Sequence, residues 1–221
     1  MWKEVRAILL KDFKMEWRQK HAIGSVFLYV IASIFVAYMG FKQIVSLATW
    51  NALFWIIILF AAFNASYRSF SQESAGRKIY LFTLSSPQAV IIAKMIYNFV
   101  LLTAMVFISA VIYAFMLGTQ ALESPDLYAF ALALLLGSMG LSFILTLIAA
   151  IASQSDNNLS LMAILGLPVI LPLLLVLIRF SKNSLDGIAW SVNNTYAWQL
   201  LALSVLSLAL SYILFPYLWR E

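Results

Sequence analysis

The chain has no cysteine and a single histidine, His21. Disulfides and thiolate metal sites are therefore excluded, although that absence does not by itself identify a compartment. A specific haem site draws its axial ligand from His, Met, Cys or Tyr. His21 sits where a basic tail meets the first apolar run and reads as an interfacial polar residue rather than a ligand. The chain also lacks the Gly-x-x-x-x-Gly-Lys-Ser/Thr cradle for nucleotide phosphates, and the His-Glu-x-x-His and Gly-x-Ser-x-Gly signatures of hydrolytic chemistry. No catalytic, cofactor-binding or metal-ligating residue is expected in it.

Charge is scarce as well, at 10% of residues against 64% hydrophobic. With a mean hydropathy of +0.95, a particle of 24.8 kDa has too little polar surface to face water. What is present instead is a series of six long apolar stretches: Ala22 to Phe41, Ile44 to Tyr67, Pro87 to Leu117, Pro125 to Ser153, Leu159 to Ile178 and Tyr196 to Leu218. Each has about the 20 residues that a helix needs to cross the hydrocarbon layer. In lipid only helices and closed barrels satisfy the backbone, and continuous rather than alternating apolar runs select helices. The expected fold is an all-α integral membrane protein with six transmembrane helices, residues 21–221, preceded by an N-terminal amphipathic interfacial helix, residues 1–20. The first run is too long for a signal-peptide core and is expected to remain as span one.

The spans read as empty of charge, which removes weight from an ion-coupled carrier. Lys3, Arg6, Lys11, Lys14, Arg18 and Lys20 of the tail, Arg68, Arg77, Lys78 and Lys94 of the connection after span two, and Arg220 fall on one side. That makes eleven cations, against Lys42, Arg179 and Lys182 opposite. Both termini are thus expected to be cytoplasmic. The net charge of +5 reports orientation and contact with anionic lipid, and nucleic acid is not an expected partner.

In the tail, Trp2, Val5, Leu9, Phe13 and Trp17 recur at helical spacing among basic residues, as in a helix lying in the headgroup plane. The largest cytoplasmic connection, residues 68–86, is too patterned for a linker. Ser69 or Ser71 can cap a short helix, Gly76 can end it, and Ile79, Leu81, Phe82 and Leu84 can pack it on a membrane or partner surface. Ser86-Pro87 and Ser124-Pro125 read as cap and first helical position of spans three and four. Trp50, Trp55, Trp190, Trp198, Tyr217 and Trp219 fit headgroup-level anchors.

Span four carries Gly137, Ser138, Ser142 and Thr146, small residues that suit helix packing, a homodimer seam being one case of it. Span five carries Gly166, Pro168 and Pro172, where missing backbone bonds predict a kink and a candidate hinge.

Three groups of residues resemble haem exporter protein B. They are Lys11-Asp12-Phe13-Lys14-Met15-Glu16-Trp17-Arg18, then Phe70-Ser71-Gln72-Glu73 with Ala93-Lys94, and the run from Leu136-Gly137-Ser138-Met139-Gly140 through Ile148-Ala149-Ala150 to Pro168-Val169-Ile170-Leu171-Pro172. The resemblance covers nearly the whole chain. It implies an ABC-2-like exporter permease of the bacterial inner membrane, acting in cytochrome c maturation to deliver or export haem or to release a haem-loaded chaperone. It also implies a second copy of the chain and haem-handling membrane subunits as partners. A separate cytoplasmic ATPase would bind ATP and Mg, and haem would belong to the complex. In that arrangement the loop carrying Ser71, Gln72, Glu73, Ser74, Gly76, Arg77 and Lys78 couples the ATPase to the membrane. Another ABC-type exporter, for lipid, polysaccharide or drug, and a non-transporting scaffold are the alternatives.

Overall fold

The computed structural model describes residues 1–18, 20–41, 46–71, 84–118, 125–153 and 158–218. Among them are seven helices and no strand: α1 (Trp2–Arg18), α2 (Lys20–Gly40), α3 (Leu47–Ser71), α4 (Pro87–Leu117), α5 (Leu127–Ala152), α6 (Asn158–Leu185) and α7 (Trp190–Leu218). Helices α3 to α7 are each long and apolar enough to cross a membrane, and α2 contributes the shorter apolar stretch Gly24–Gly40. The 21 residues of α2 cover ~31 Å at ~1.5 Å per residue, about the hydrocarbon thickness. Among the described side chains of α2 only one stripe, Val26, Val30 and Ile34, is buried, while Leu28, Phe35, Val36 and Met39 are exposed, a surface matched to lipid.

Helix α5 is the centre of the bundle and packs against α3, α4, α6 and α7. Its small residues permit this, since a helix approached from several sides needs short side chains. A Cβ at Gly137 would stand 2.7 Å from Leu177 Cδ1 and 2.8 Å from Trp55 Cη2, and one at Gly140 would stand 2.5 Å from Leu173 Cδ1. Gly137, Ser138, Ser142 and Thr146 are all buried within this one chain.

Two boundaries differ from expectation. Helix α6 runs on to Leu185 and α7 begins at Trp190, so the connection expected between the stretches ending at Ile178 and starting at Tyr196 shrinks to a tight turn at Gly187, φ 68°. Ser181 and Ser184, read as loop residues, return their hydroxyls to Leu177 O at 2.8 Å and Phe180 O at 2.9 Å, which accommodates them inside a helix. Helix α5 starts at Leu127 under Asp126, whose carboxylate accepts from Ala129 N at 3.0 Å. The expected cap, Ser124, lies outside the described residues. Pro87 does open α4, but Ser86 makes no side-chain cap.

The tryptophans divide. Trp190, Trp198 and Tyr217 are exposed, as anchors must be, and Trp219 lies outside the described residues. Trp50 and Trp55 are buried instead, so these two are core residues. Trp50 meets the Tyr113 ring edge-on at 4.8 Å, the Tyr113 hydroxyl donates to Trp50 O at 2.9 Å, and the Trp55 indole donates to Ser181 Oγ at 2.9 Å. A buried indole N–H needs such a partner.

Candidate functional site

The end of the bundle that holds α1 is tied together by polar side chains, and α4 is its hub. Val5, Ile8, Asp12 and Glu16 form the inward stripe of α1, at the three- and four-residue spacing that shares a helix face. Trp2, Leu10 and Phe13 of the same helix are exposed among Lys3, Arg6, Lys14 and Arg18. The buried stripe is therefore rotated from the one the aromatic spacing predicts, because two acids lie on it.

Those two acids and Glu4 meet the start of α4 in a parallel arrangement, each successive contact further along both helices. Glu4 accepts from Ser86 N at 2.9 Å and Ser86 Oγ at 2.8 Å, Asp12 Oδ2 lies 3.2 Å from Lys94 Nζ, and Tyr97 hydrogen-bonds Glu16. Phe13 adds an edge-on contact to the Tyr97 ring at 5.3 Å. Helix α1 thus runs along the first turns of α4. The Ser86 donors and the amino group of Met1 at 2.9 Å hold the Glu4 carboxyl down at about 2, well under its usual 4.5.

Lys94 corrects the reading of the spans as empty of charge. It lies inside α4, two turns from Pro87, and is 3% exposed. An ammonium withdrawn from water costs several kcal/mol, roughly, unless it is paired and hydrogen-bonded. Here Lys94 pairs with Asp12, donates to Ser69 O at 2.7 Å and stands 5.8 Å from the centre of the Phe70 ring. The second oxygen of Asp12 faces Lys11 Nζ at 3.4 Å. The position is tolerable because the 31 residues of α4 span ~46 Å against a ~30 Å hydrocarbon layer, which leaves its early turns near the headgroups.

One turn deeper, Asn98 donates to Ser69 Oγ at 3.1 Å and to Thr146 Oγ1 at 2.8 Å, joining α3, α4 and α5. Thr146 Oγ1 donates to Ser142 O at 2.6 Å, and Ser142 Oγ donates to Met95 O at 3.3 Å. Arg68 donates to Ser25 Oγ at 2.7 Å and links α3 to α2. Polar contacts thus join α1 to α4, α2 to α3, α3 to α4 and α4 to α5 at this end.

Of the expected coupling loop, residues 68–71 are the last turn of α3. Ser71 closes that helix, and Gln72, Glu73, Ser74, Gly76, Arg77 and Lys78 lie outside the described residues. What the structure does define is the anchorage of the loop on both sides. Ser69 and Phe70 meet Lys94 before it, and Ser86 is held by Glu4 after it. Gly166 is buried against Phe63, while Pro168 and Pro172 lie on the exposed face of a continuous α6. The side chain of His21 lies outside the described residues. Among the described residues no three His, Cys, Asp or Glu side chains gather to hold a metal.

Sequence reasoning placed Asp12 and Glu16 in an interfacial tail helix and Lys94 in the connection after span two, and did not single out Asn98. The available signal was the four-residue spacing of the two acids on the face of Val5 and Ile8, together with a lysine inside a run that begins at Pro87.

These features define an all-helical, multi-pass membrane protein with a charged, cross-linked end to which a loop is anchored. A protein-family model described as CcmB protein matches residues 3–217, nearly the whole chain, and the chain belongs to that family. CcmB is the haem exporter protein B of cytochrome c maturation, so this chain is a membrane permease component of that haem-export system. No curated protein matches the chain.

Proposed function

We propose that this permease is driven by a separate cytoplasmic ATPase that docks on the loop after α3, and that the Asp12–Lys94–Ser69 junction carries the resulting movement into the bundle. The supporting observation is the anchorage of that loop, since both of its ends join α4 within two turns of Pro87. Glu73, Arg77 and Lys78 supply both charge signs for docking into a partner groove. Closure of a nucleotide-bound ATPase pair displaces the loop, and α1, α3 and α4 respond together because separating them leaves buried charge unpaired.

In this reading the protein lies in the bacterial inner membrane with both termini cytoplasmic, and it works beside haem-handling subunits and a second copy of itself. ATP and Mg belong to the partner. Haem is handled by the assembled complex, either as the translocated molecule or through a loaded chaperone that the motion releases. Gly166, Pro168 and Pro172 are the positions at which α6 bends during that motion.

The test uses the reconstituted complex carrying Glu73→Gln or Arg77→Gln, read by ATP hydrolysis and by cytochrome c assembly. Hydrolysis that continues while assembly fails supports the coupling role. Unchanged assembly with unchanged ATPase binding removes it.

A further inference from the structure

Helices α6 and α7 enclose an open groove of about 610 Å³, lined among others by Pro172, Leu175, Val176, Arg179, Thr195 and Gln199. On α6 the residues at 172, 175, 176 and 179 follow the spacing of a single face, apolar toward mid-membrane and cationic toward the turn at Gly187. Arg179 stands six residues before Leu185, where α6 ends, or ~9 Å along the axis. The 28 residues of α6 reach ~42 Å, so its last turns leave a ~30 Å hydrocarbon layer at about this depth. The exposed Trp190 and Trp198 at the start of α7 mark the same boundary. Thr195 and Gln199 add hydrogen-bonding side chains across from Arg179.

No carboxylate lies among the lining residues, and the neighbouring Asp186 pairs with Lys182 at 3.6 Å. The groove therefore presents a guanidinium over an apolar floor at headgroup depth, open to the lipid side. We propose that it holds a phospholipid of the adjoining leaflet. The phosphate is taken by Arg179 with Thr195 and Gln199, and one acyl chain lies along Pro172, Leu175 and Val176. A guanidinium suits a phosphate because its planar fork meets two oxygens at once. The apolar floor selects a lipid over a free phosphate ion, which has nothing to place there.

The test is native mass spectrometry of the purified full-length protein, titrated with phosphatidylglycerol, with inorganic phosphate as competitor. Arg179→Gln is expected to weaken retention of one lipid about ten-fold, the loss that goes with one charged hydrogen-bonded contact. Lys182→Gln, at the same end but outside the lining, is expected to leave retention unchanged. Inorganic phosphate is expected not to displace the lipid, and a photoactivatable phosphatidylglycerol is expected to label α6 and α7. Equal retention in Arg179→Gln, equal losses in both variants, displacement by inorganic phosphate, or label confined to other helices would each overturn the proposal. Arg179 is exposed, so its replacement leaves the core intact.

Discussion

Lys94, buried two turns inside α4, stands 3.2 Å from Asp12 on the tail helix. The pair joins a helix that precedes all the spans to one in the middle of the chain. Removing one member of a buried pair costs more than removing both, because the survivor keeps its desolvation without its partner. Asp12→Asn is therefore expected to destabilise the protein by ~3–5 kcal/mol, and Asp12→Asn combined with Lys94→Met to recover most of that loss. Thermal unfolding in detergent measures both. A double variant no more stable than the single one would remove the ion pair from the account. In the ATPase-driven complex we propose, a recovered double variant that still hydrolyses ATP without supporting cytochrome c assembly would show that the pair serves transmission as well as folding.

Asn98 is the next strut. Its amide group donates to Ser69 and Thr146 and so bridges three helices through one side chain. Interhelical hydrogen bonds within membranes contribute modestly, because the unfolded state in lipid finds other partners. A double-mutant cycle of Asn98→Ala with Thr146→Val is expected to give a coupling of about 0.6 kcal/mol, and no more than ~1.7. A coupling of zero would mean that the bond at 2.8 Å does not hold α4 to α5.

Much of this architecture was legible because membrane helices announce themselves by hydropathy. Five of the six apolar stretches match long apolar helices, and the sixth falls on α2. The errors cluster where a polar residue is absorbed by a helix. Ser181 and Ser184 looked like loop residues, yet hydroxyls that return to carbonyls one turn earlier extend α6 to Leu185. Trp50 and Trp55 looked like anchors because tryptophan is common at interfaces, and only tertiary packing distinguishes a buried indole bonded to Ser181 from a surface one. The charged junction was harder still. Glu4 and Ser86 are separated by 82 residues, and no local periodicity reveals that α1 runs in register with α4. Asp12, Phe70 and Lys94 all lie in the groups of residues that carry the family resemblance, far apart along the chain. Their meeting at one place is the structural result.

Glu4 makes the start of α1 sensitive to acid. Its carboxyl is held at about 2 rather than 4.5 by the Ser86 donors and the nearby amino group. A depressed carboxyl stabilises the docked form fully above about 4.5 and loses that contribution as pH falls from there toward about 2. The contact between the beginning of α1 and Ser86 is thus expected to loosen across that window. Trp2 fluorescence, near the contact and exposed, is a suitable probe. The Glu4→Gln variant should show no pH-dependent change in that range, and an identical titration in both proteins would assign the transition to another group.

Gly137 is expected to tolerate substitution worse than Gly166, although a new Cβ would meet atoms below 3.0 Å at both. At Gly137 the obstacles are Leu177 and Trp55, both fully buried, and the Trp55 indole is fixed by its bond to Ser181. At Gly166 the obstacle is the edge of Phe63, a ring only partly buried and able to swing outward. Overpacking a rigid core typically costs ~1–3 kcal/mol. Gly137→Ala should fall in that range, and Gly166→Ala should cost less than half as much. Unfolding midpoints of the two variants in the same detergent decide the matter, with Gly137→Ala combined with Leu177→Ala as a control that makes room for the methyl group on one side only. Leu177→Ala alone is itself costly, since Leu177 is fully buried, so the comparison is with that single variant: if Gly137→Ala costs as much in the Leu177→Ala background as in the native one, Trp55 is the obstacle that matters. If Gly137→Ala costs nothing, the close approach of α6 to α5 does not depend on glycine.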